Sequence, residues 1–237
     1  MKDQQVPLGD ADLEAIRARW ARATPGPWQS YVEGRDHSSG SNFIMTGGAD
    51  IYLSGATLVR PYDDRFVIAG QGTAGREIAE DMHARGLSPD IVVAPASGGG
   101  LIAGVATAVK SRFPNAELIV AEPKGYDDHA LSLKVGHREP HPAAARTICD
   151  ALMAAMPGEL TFSINSKLLA KGVSVSDEEV GAAVAFAYRE LKLVVEPGGA
   201  VGLAALLAGR IDARGKNVVI VLSGGNVDAD LFAKLVA

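Results

Sequence analysis

Cysteine is nearly absent: Cys149 stands alone among 237 residues. That excludes a disulfide framework and suits a reducing compartment, so a cytoplasmic location is expected. With no base beside it in sequence, Cys149 reads as a small buried apolar residue rather than a nucleophile. No apolar run approaches the roughly 18 residues needed to span a membrane. The first residues, Met1-Lys2-Asp3-Gln4-Gln5, lack the apolar core of a signal peptide. Positive charge is in deficit: the net charge is -5, and no block of lysines or arginines offsets it, which excludes a nucleic-acid surface. None of the five histidines has zinc-ligand spacing. His137 and His141 stand four apart, but Pro140 and Pro142 break the helix that would align them. His37, His83, His129, His137 and His141 therefore read as surface residues. What remains is an apolar fraction of 47%, ample for a core in one large domain or two small ones.

The texture changes near residue 56. Before it, residues 10–23 have helical spacing, with Asp10 or Asp12 as cap and Leu13, Ile16 and Trp20 on one face. Thr24-Pro25-Gly26-Pro27 stops that helix. The stretch up to Gly55 is polar and predicts irregular structure, with two short strands around 42–45 and 50–53. After it, strands and helices alternate. Strands are predicted at 91–94, 118–121, 173–175 and 217–222. Helices are predicted from Gln71-Gly72-Thr73 to about Arg85, from Gly100 to about Arg112, and from Pro157-Gly158-Glu159 to about Leu169. Others run from the capping box Ser176-Asp177-Glu178-Glu179 to about Lys192, from Gly198-Gly199, and from Asp228. Strands that are apolar along their whole length are buried on both faces. The expected fold is therefore α/β, with three layers and a mainly parallel sheet between helices. The expected division is a divergent segment over 1–55 and an α/β domain over 56–237.

Ligands of such sheets sit at the carboxyl ends of the strands. Three loops fall there. Ser97-Gly98-Gly99-Gly100-Leu101 follows an apolar strand and opens an Ala-rich helix. Without Cβ atoms, several backbone N–H groups can converge on one ligand. The helix start adds unpaired donors and the positive end of its dipole, so a phosphate group is the expected guest. No Gly-Lys-Ser/Thr follows, so this is not a Walker loop. The dinucleotide pattern is absent too, although Glu122 weakly imitates its acidic hook. A glycine-rich turn without a ligand is the competing reading. Ser223, in Ser223-Gly224-Gly225-Asn226, either reaches a flat ligand or bonds its own backbone. Glu196, in Glu196-Pro197-Gly198-Gly199-Ala200, either faces the site or is solvated. Glu122, Asp127 and Asp128 form either a hard-oxygen site for Mg²⁺ or Ca²⁺ or an acidic solvent loop.

A set of motifs in fixed order ties these loops together. Pro61-Tyr62-Asp63-Asp64 precedes Ile68-Ala69-Gly70-Gln71-Gly72-Thr73, then Ser97-Gly98-Gly99-Gly100-Leu101-Ile102-Ala103-Gly104, then Ala121-Glu122-Pro123. Thr147-Ile148-Cys149-Asp150, Pro157-Gly158-Glu159-Leu160-Thr161-Phe162, Val175-Ser176-Asp177-Glu178-Glu179, Lys192-Leu193-Val194-Val195-Glu196-Pro197 and Leu222-Ser223-Gly224-Gly225-Asn226-Val227-Asp228 follow. From about residue 56 the chain resembles the threonine dehydratase and serine racemase family of fold-type II pyridoxal phosphate enzymes. The resemblance implies that backbone amides of Ser97, Gly98, Gly99, Gly100 and Leu101 hold the cofactor phosphate. It places Ser223 at the pyridine nitrogen and Glu196 near the ring. It also implies a divalent cation, Mg²⁺ or Ca²⁺, on Glu122, the carbonyl of Tyr126, and Asp128. The implied activity is conversion of L-threonine or L-serine to a 2-oxo acid and ammonia.

The chain departs from that family in what it lacks. The motif like Ser-Phe-Lys-x-Arg-Gly-Ala, which carries the Schiff-base lysine, is missing, as is the Ser-x-Gly-Asn substrate loop. The small domain that closes over substrate is also not seen, and Ala151 stands where the family usually has glycine. No catalytic residue can be assigned. Three outcomes follow: a dehydratase-like protein inactive alone, a non-catalytic phosphate-binding remnant, or half of a split enzyme. A parallel sheet without its companion strands exposes an edge and an apolar face, so a homo-oligomer or a partner chain is expected.

Overall fold

The computed structural model describes residues 28–31, 43–46, 61–141 and 146–237. The helix expected over 10–23 and the strand expected near 50–53 lie outside the described residues. The first two strands, β1 (Trp28–Tyr31) and β2 (Phe43–Thr46), pair antiparallel with Trp28 opposite Thr46. β2 matches the strand expected near 42–45, whereas β1 falls in a stretch read as irregular. Both belong to one compact unit, and all later elements belong to a second.

The second unit runs α1 (Arg65–Ala84), β3 (Ile91–Pro95), α2 (Gly100–Arg112), β4 (Glu117–Pro123), α3 (Asp128–Val135), α4 (Glu159–Leu168), β5 (Lys171–Val175), α5 (Asp177–Phe186), α6 (Pro197–Leu207), β6 (Val218–Ile220) and α7 (Ala229–Val236). Its sheet is parallel throughout, in the order β5-β4-β3-β6. The chain moves outward from β3 to β4 and β5, then returns to the other side of β3 for β6. The direction of winding therefore reverses at β3, and the loops after β3 and β6 diverge over a crevice. In doubly wound sheets that crevice is where ligands bind.

Alternation along β3 and β4 divides the core into two layers. Ile91, Val93 and Ile119 face α5 and α6, against Val180, Val184, Val201 and Ala204. Val92, Ala94, Leu118 and Val120 face α2, against Ile102, Val105 and Val109. Their side chains are at most 2% exposed, which is why these strands carry no polar alternation. The three-layer α/β expectation holds.

Several boundaries differ from those expected. α1 begins at Arg65, not near Gln71, because the Asp64 carboxylate accepts from the amides of Phe66 at 2.7 Å and Val67 at 3.1 Å and caps it. Gly70 and Gly72 remain inside the helix. The capping box forms as read: Ser176 Oγ accepts from the Glu179 amide, and Glu179 Oε2 accepts from the Ser176 amide. Its helix ends at Phe186, passes through a π turn over Ala187–Leu191, and reverses at Lys192, whose φ is 60°. No helix among the described residues is long and apolar enough to cross a membrane. Among the described strands, β5 and β6 form the sheet edges, and α7 has no fully buried residue.

Candidate functional site

The glycine loop sits at the crevice. Gly99 is the cap of α2 with φ 92°, a left-handed conformation that excludes ordinary side chains. A Cβ on Gly98 would strike the Tyr62 ring, so the loop and that ring are in direct contact. The loop's carbonyls are held by α4. Gly98 O accepts from the Gly158 amide at 3.1 Å and from Thr161 Oγ1 at 2.6 Å. Gly99 O accepts from the Ala103 amide at 3.0 Å and from Asn165 Nδ2 at 3.3 Å. In a trans peptide the next N–H points opposite to the carbonyl. The amides of Gly99 and Gly100 are thereby aimed away from α4. Ser97 Oγ accepts from the Ala154 amide at 3.1 Å, tying the other end of the loop to the segment after Cys149.

Ser97, Gly98, Gly99, Gly100 and Leu101 line a cavity of about 210 Å³ that also includes Tyr62, Gln71, Ala151 and Ser223. The glycine loop after β3 and the serine after β6 thus share one space, as their sequence positions imply. Glu196 does not line it. Its carboxylate accepts from the Asn226 amide at 3.0 Å, and its own amide donates to Gly224 O at 3.3 Å. Half-burial raises its pKa. In this arrangement Glu196 shapes the loop that carries Ser223. A larger groove of about 670 Å³ runs between α1 and α2, but it is lined by helix-surface side chains such as Arg76, which pairs with Glu80 at 2.7 Å.

The acidic segment is not a solvent loop. Glu122 lies on β4 and Asp128 opens α3, and both are buried. Glu122 Oε1 accepts from the His129 amide and Oε2 from the Ala130 amide, each at 2.9 Å, so this carboxylate holds the start of α3. Asp128 has no partner for either oxygen. Burial, and then the neighbouring Glu122 charge, push its pKa up to about 8. Tyr126 lies in the turn between them, its ring stacked on His141 at 6.0 Å.

His129 corrects the reading of the histidines as surface residues: its side chain is fully buried. Its Nδ1 is 3.4 Å from Glu122 Oε1 and 3.7 Å from Asp128 Oδ2. Asn165 and Thr161, also fully buried, were missed as well. The two helices that carry these residues did leave signals. Lys134 followed by Gly136 marks the end of a helix that starts near Asp128. Thr161 and Asn165 stand four apart among apolar neighbours, hence on one helix face.

Residues 44–224 match the family described as pyridoxal-phosphate dependent enzymes. The chain belongs to that family. It is 40% identical to the L-threonine ammonia-lyase of Thermotoga maritima over 77% of this chain and 44% of the relative. It is 42% identical to the serine racemase of Arabidopsis thaliana over 74% of this chain and 53% of the relative. The fold aligns with the crystal structure of T.th. threonine deaminase at TM-score 0.70 and 39% identity, over 75% of this chain and 60% of that one. Maize serine racemase aligns at TM-score 0.70 and 36% identity, over 78% and 56%. The chain thus spans about half the length of the curated relatives it matches.

The cavity suits part of the family's cofactor. Its glycine loop offers backbone amides of the kind a phosphate takes, and Ser223 lines the same space. No lysine, carboxylate or histidine is found among the described residues that line it, and Ala151 is part of the lining.

Proposed function

We propose that this chain is the cofactor-cradling part of a threonine or serine ammonia-lyase. The observation that carries the reading is the shared cavity: an anion loop with its carbonyls tied back, facing Ser223 at the point where the sheet reverses. Amides of residues 97–101 would hold the phosphate of pyridoxal phosphate, with Ser223 at the ring nitrogen and Glu196 fixing the Ser223 loop. When bound, that cofactor supplies an electron sink for cleavage at an amino acid. A serine partner, unlike a carboxylate, leaves the ring less electron-withdrawing, which favours elimination. The lysine that links the cofactor must come from outside these lining residues, so substrate turnover requires a further polypeptide segment or a partner chain. The cation reading rests on Asp128, a buried carboxylate without a partner beside Glu122. Glu122, Asp128 and the Tyr126 carbonyl would take Mg²⁺ or Ca²⁺, hard cations that prefer oxygen. Residues 1–55 are a segment divergent in sequence.

Exposed Leu193 and Val194, at 45% and 55% exposure, together with the β6 edge, support an assembled state, either a homo-oligomer or a complex with that partner. The single buried-type cysteine supports a cytoplasmic location.

Amide NMR tests the cradle directly. Pyridoxine 5′-phosphate, which has an alcohol in place of the aldehyde, cannot form imines with surface lysines. Adding it shifts the amide resonances of Gly99, Gly100 and Leu101 first and most. Shifts confined to other segments overturn the reading. A phosphate-binding module without catalysis is the second reading, favoured by the absence of any lysine among the described residues at the cavity.

A further inference from the structure

Among the described residues, four buried side-chain polar atoms have no partner, and all belong to one contiguous group. They are both carboxylate oxygens of Asp128, Nδ1 of His129, and Oδ1 of Asn165. Native interiors leave few such atoms, so their concentration at one spot has a cause to be found. This group joins the acidic pocket to the anion loop. Asn165 Nδ2 lies 3.3 Å from Gly99 O and 3.3 Å from His129 Nε2. An amide nitrogen only donates, so Nε2 is the acceptor and the ring hydrogen sits on Nδ1. Nδ1 faces Glu122 and Asp128. Although these three residues could enclose an ion, with their ligand atoms within 4.8 Å of one another, this tautomer turns an N–H toward the pocket. A cation there is held by oxygen alone, and His129 is free to transmit its presence.

The packing leaves the ring no slack. A Cβ on Gly99 would strike His129 Nε2 and come within 2.8 Å of Asn165 Nδ2. Glu122 holds the His129 amide, so any movement at the start of α3 carries the imidazole with it. Without a cation, both oxygens of Asp128 lack a partner and only Glu122 ties down the first turn of α3. A cation gives Asp128 a partner and fixes that turn. The imidazole and Asn165 then fix the Gly99 carbonyl, whose peptide carries the Gly100 N–H aimed at the anion.

We propose that His129 and Asn165 couple the two sites, so that a divalent cation on Glu122 and Asp128 strengthens phosphate binding at the glycine loop. The coupling rests on the phosphate and cation readings above. It is reciprocal: phosphate strengthens cation binding by the same factor. His129 and Asn165 act as positioning residues and touch neither ligand.

Calorimetric titration of the full chain with pyridoxine 5′-phosphate, in chelator and in saturating calcium chloride, measures the factor. Calcium raises the affinity by about fivefold or more, the lower end of ordinary allosteric couplings. Calcium titrations with and without pyridoxine 5′-phosphate return the same factor. Asn165→Ala and His129→Gln each bring it close to one, whatever they do to the affinity in chelator. Two variants and their thermal melts guard against simple misfolding. A factor near one in the unsubstituted protein overturns the coupling, and so does a factor that persists in both variants. A protein that binds pyridoxine 5′-phosphate without shifting the Gly99, Gly100 and Leu101 amides overturns the phosphate reading itself, and the coupling with it.

Discussion

Thr161 donates its hydroxyl to the carbonyl oxygen of Gly98 across 2.6 Å, from a position 63 residues further along the chain. One turn later, Asn165 reaches the next carbonyl, Gly99 O. Two polar side chains on one face of α4 thus hold two successive peptides of the glycine loop. This is a tertiary device: the loop's shape is set by a helix that follows it across β4 and α3.

Thr161→Val keeps the shape of the side chain and removes the hydroxyl. Gly98 O then retains only the Gly158 amide, in a buried place. The substitution costs about 1–3 kcal/mol of stability, the usual penalty for under-satisfying a buried polar group. Urea unfolding measures it. Affinity for pyridoxine 5′-phosphate falls as well, because the Gly99 N–H is no longer held toward the cavity. A variant with unchanged stability and affinity shows that Thr161 does not hold the loop.

The sheet was legible in the sequence because its strands are apolar without alternation, and a glycine loop after such a strand marks the crevice. Ser97, Gly98, Gly99, Gly100, Leu101 and Ser223 all face one cavity for that reason. The start of α1 was placed too late: its cap, Asp64, lies ahead of Gly70 and Gly72, and both stay helical, Gly72 against Gly104 of α2 and Gly70 in open space. His129 was hidden for a different reason. Its burial depends on Glu122 drawing the start of α3 against β4, a contact between residues seven apart that no helical or strand period announces. Glu196 shows the converse: its motif was plain, but only the fold shows its carboxylate turned to Asn226.

Asp128 makes stability depend on pH. Its folded pKa is raised to about 8 from the ordinary 3.8, first by burial and then by the Glu122 charge. A raised carboxyl pKa means that the folded state holds its proton more tightly than the unfolded state. The associated stability is therefore complete below the unfolded value and is lost as pH rises from about 4 to about 8. Calcium competes with that proton, so its stabilising effect grows over the same interval. Thermal melts at a series of pH values, with chelator and with calcium, give diverging curves. Asp128→Asn flattens the chelator curve and removes the effect of calcium. Parallel curves for the unsubstituted protein would falsify the cation assignment.

Cys149 is fully buried, and burial is the main reason its thiol is pushed up to about 12. The thiolate is the reactive form, so the native protein resists alkylation at mildly alkaline pH. Iodoacetamide labelling, followed by mass spectrometry, reads this out. The native chain stays unlabelled over a period in which the urea-unfolded chain reacts fully. Rapid labelling without denaturant would place Cys149 in a segment that opens.

Turnover by this chain alone is expected to be absent. Elimination from an amino acid needs a group that takes the α-proton and, in this family, a lysine that carries the cofactor. The described residues that line the cavity offer hydroxyls, an amide and backbone, but no lysine, histidine or carboxylate. Serine and tyrosine hydroxyls are weak bases unless a neighbouring base activates them, and none stands among those lining residues. The 237-residue chain, given pyridoxal phosphate and L-threonine, therefore releases 2-oxobutanoate no faster than pyridoxal phosphate alone. Binding persists where catalysis does not, because the amides of the glycine loop act without the lysine. The same samples test this: pyridoxine 5′-phosphate shifts the Gly99 and Gly100 amides while the keto-acid assay stays at background. Turnover above background that disappears when any one lysine of this chain is changed to alanine would show that a lysine reaches the cavity after all. Turnover that appears only when a second polypeptide is added, and that requires a lysine in that polypeptide, identifies the missing group and assigns this chain its role as cradle.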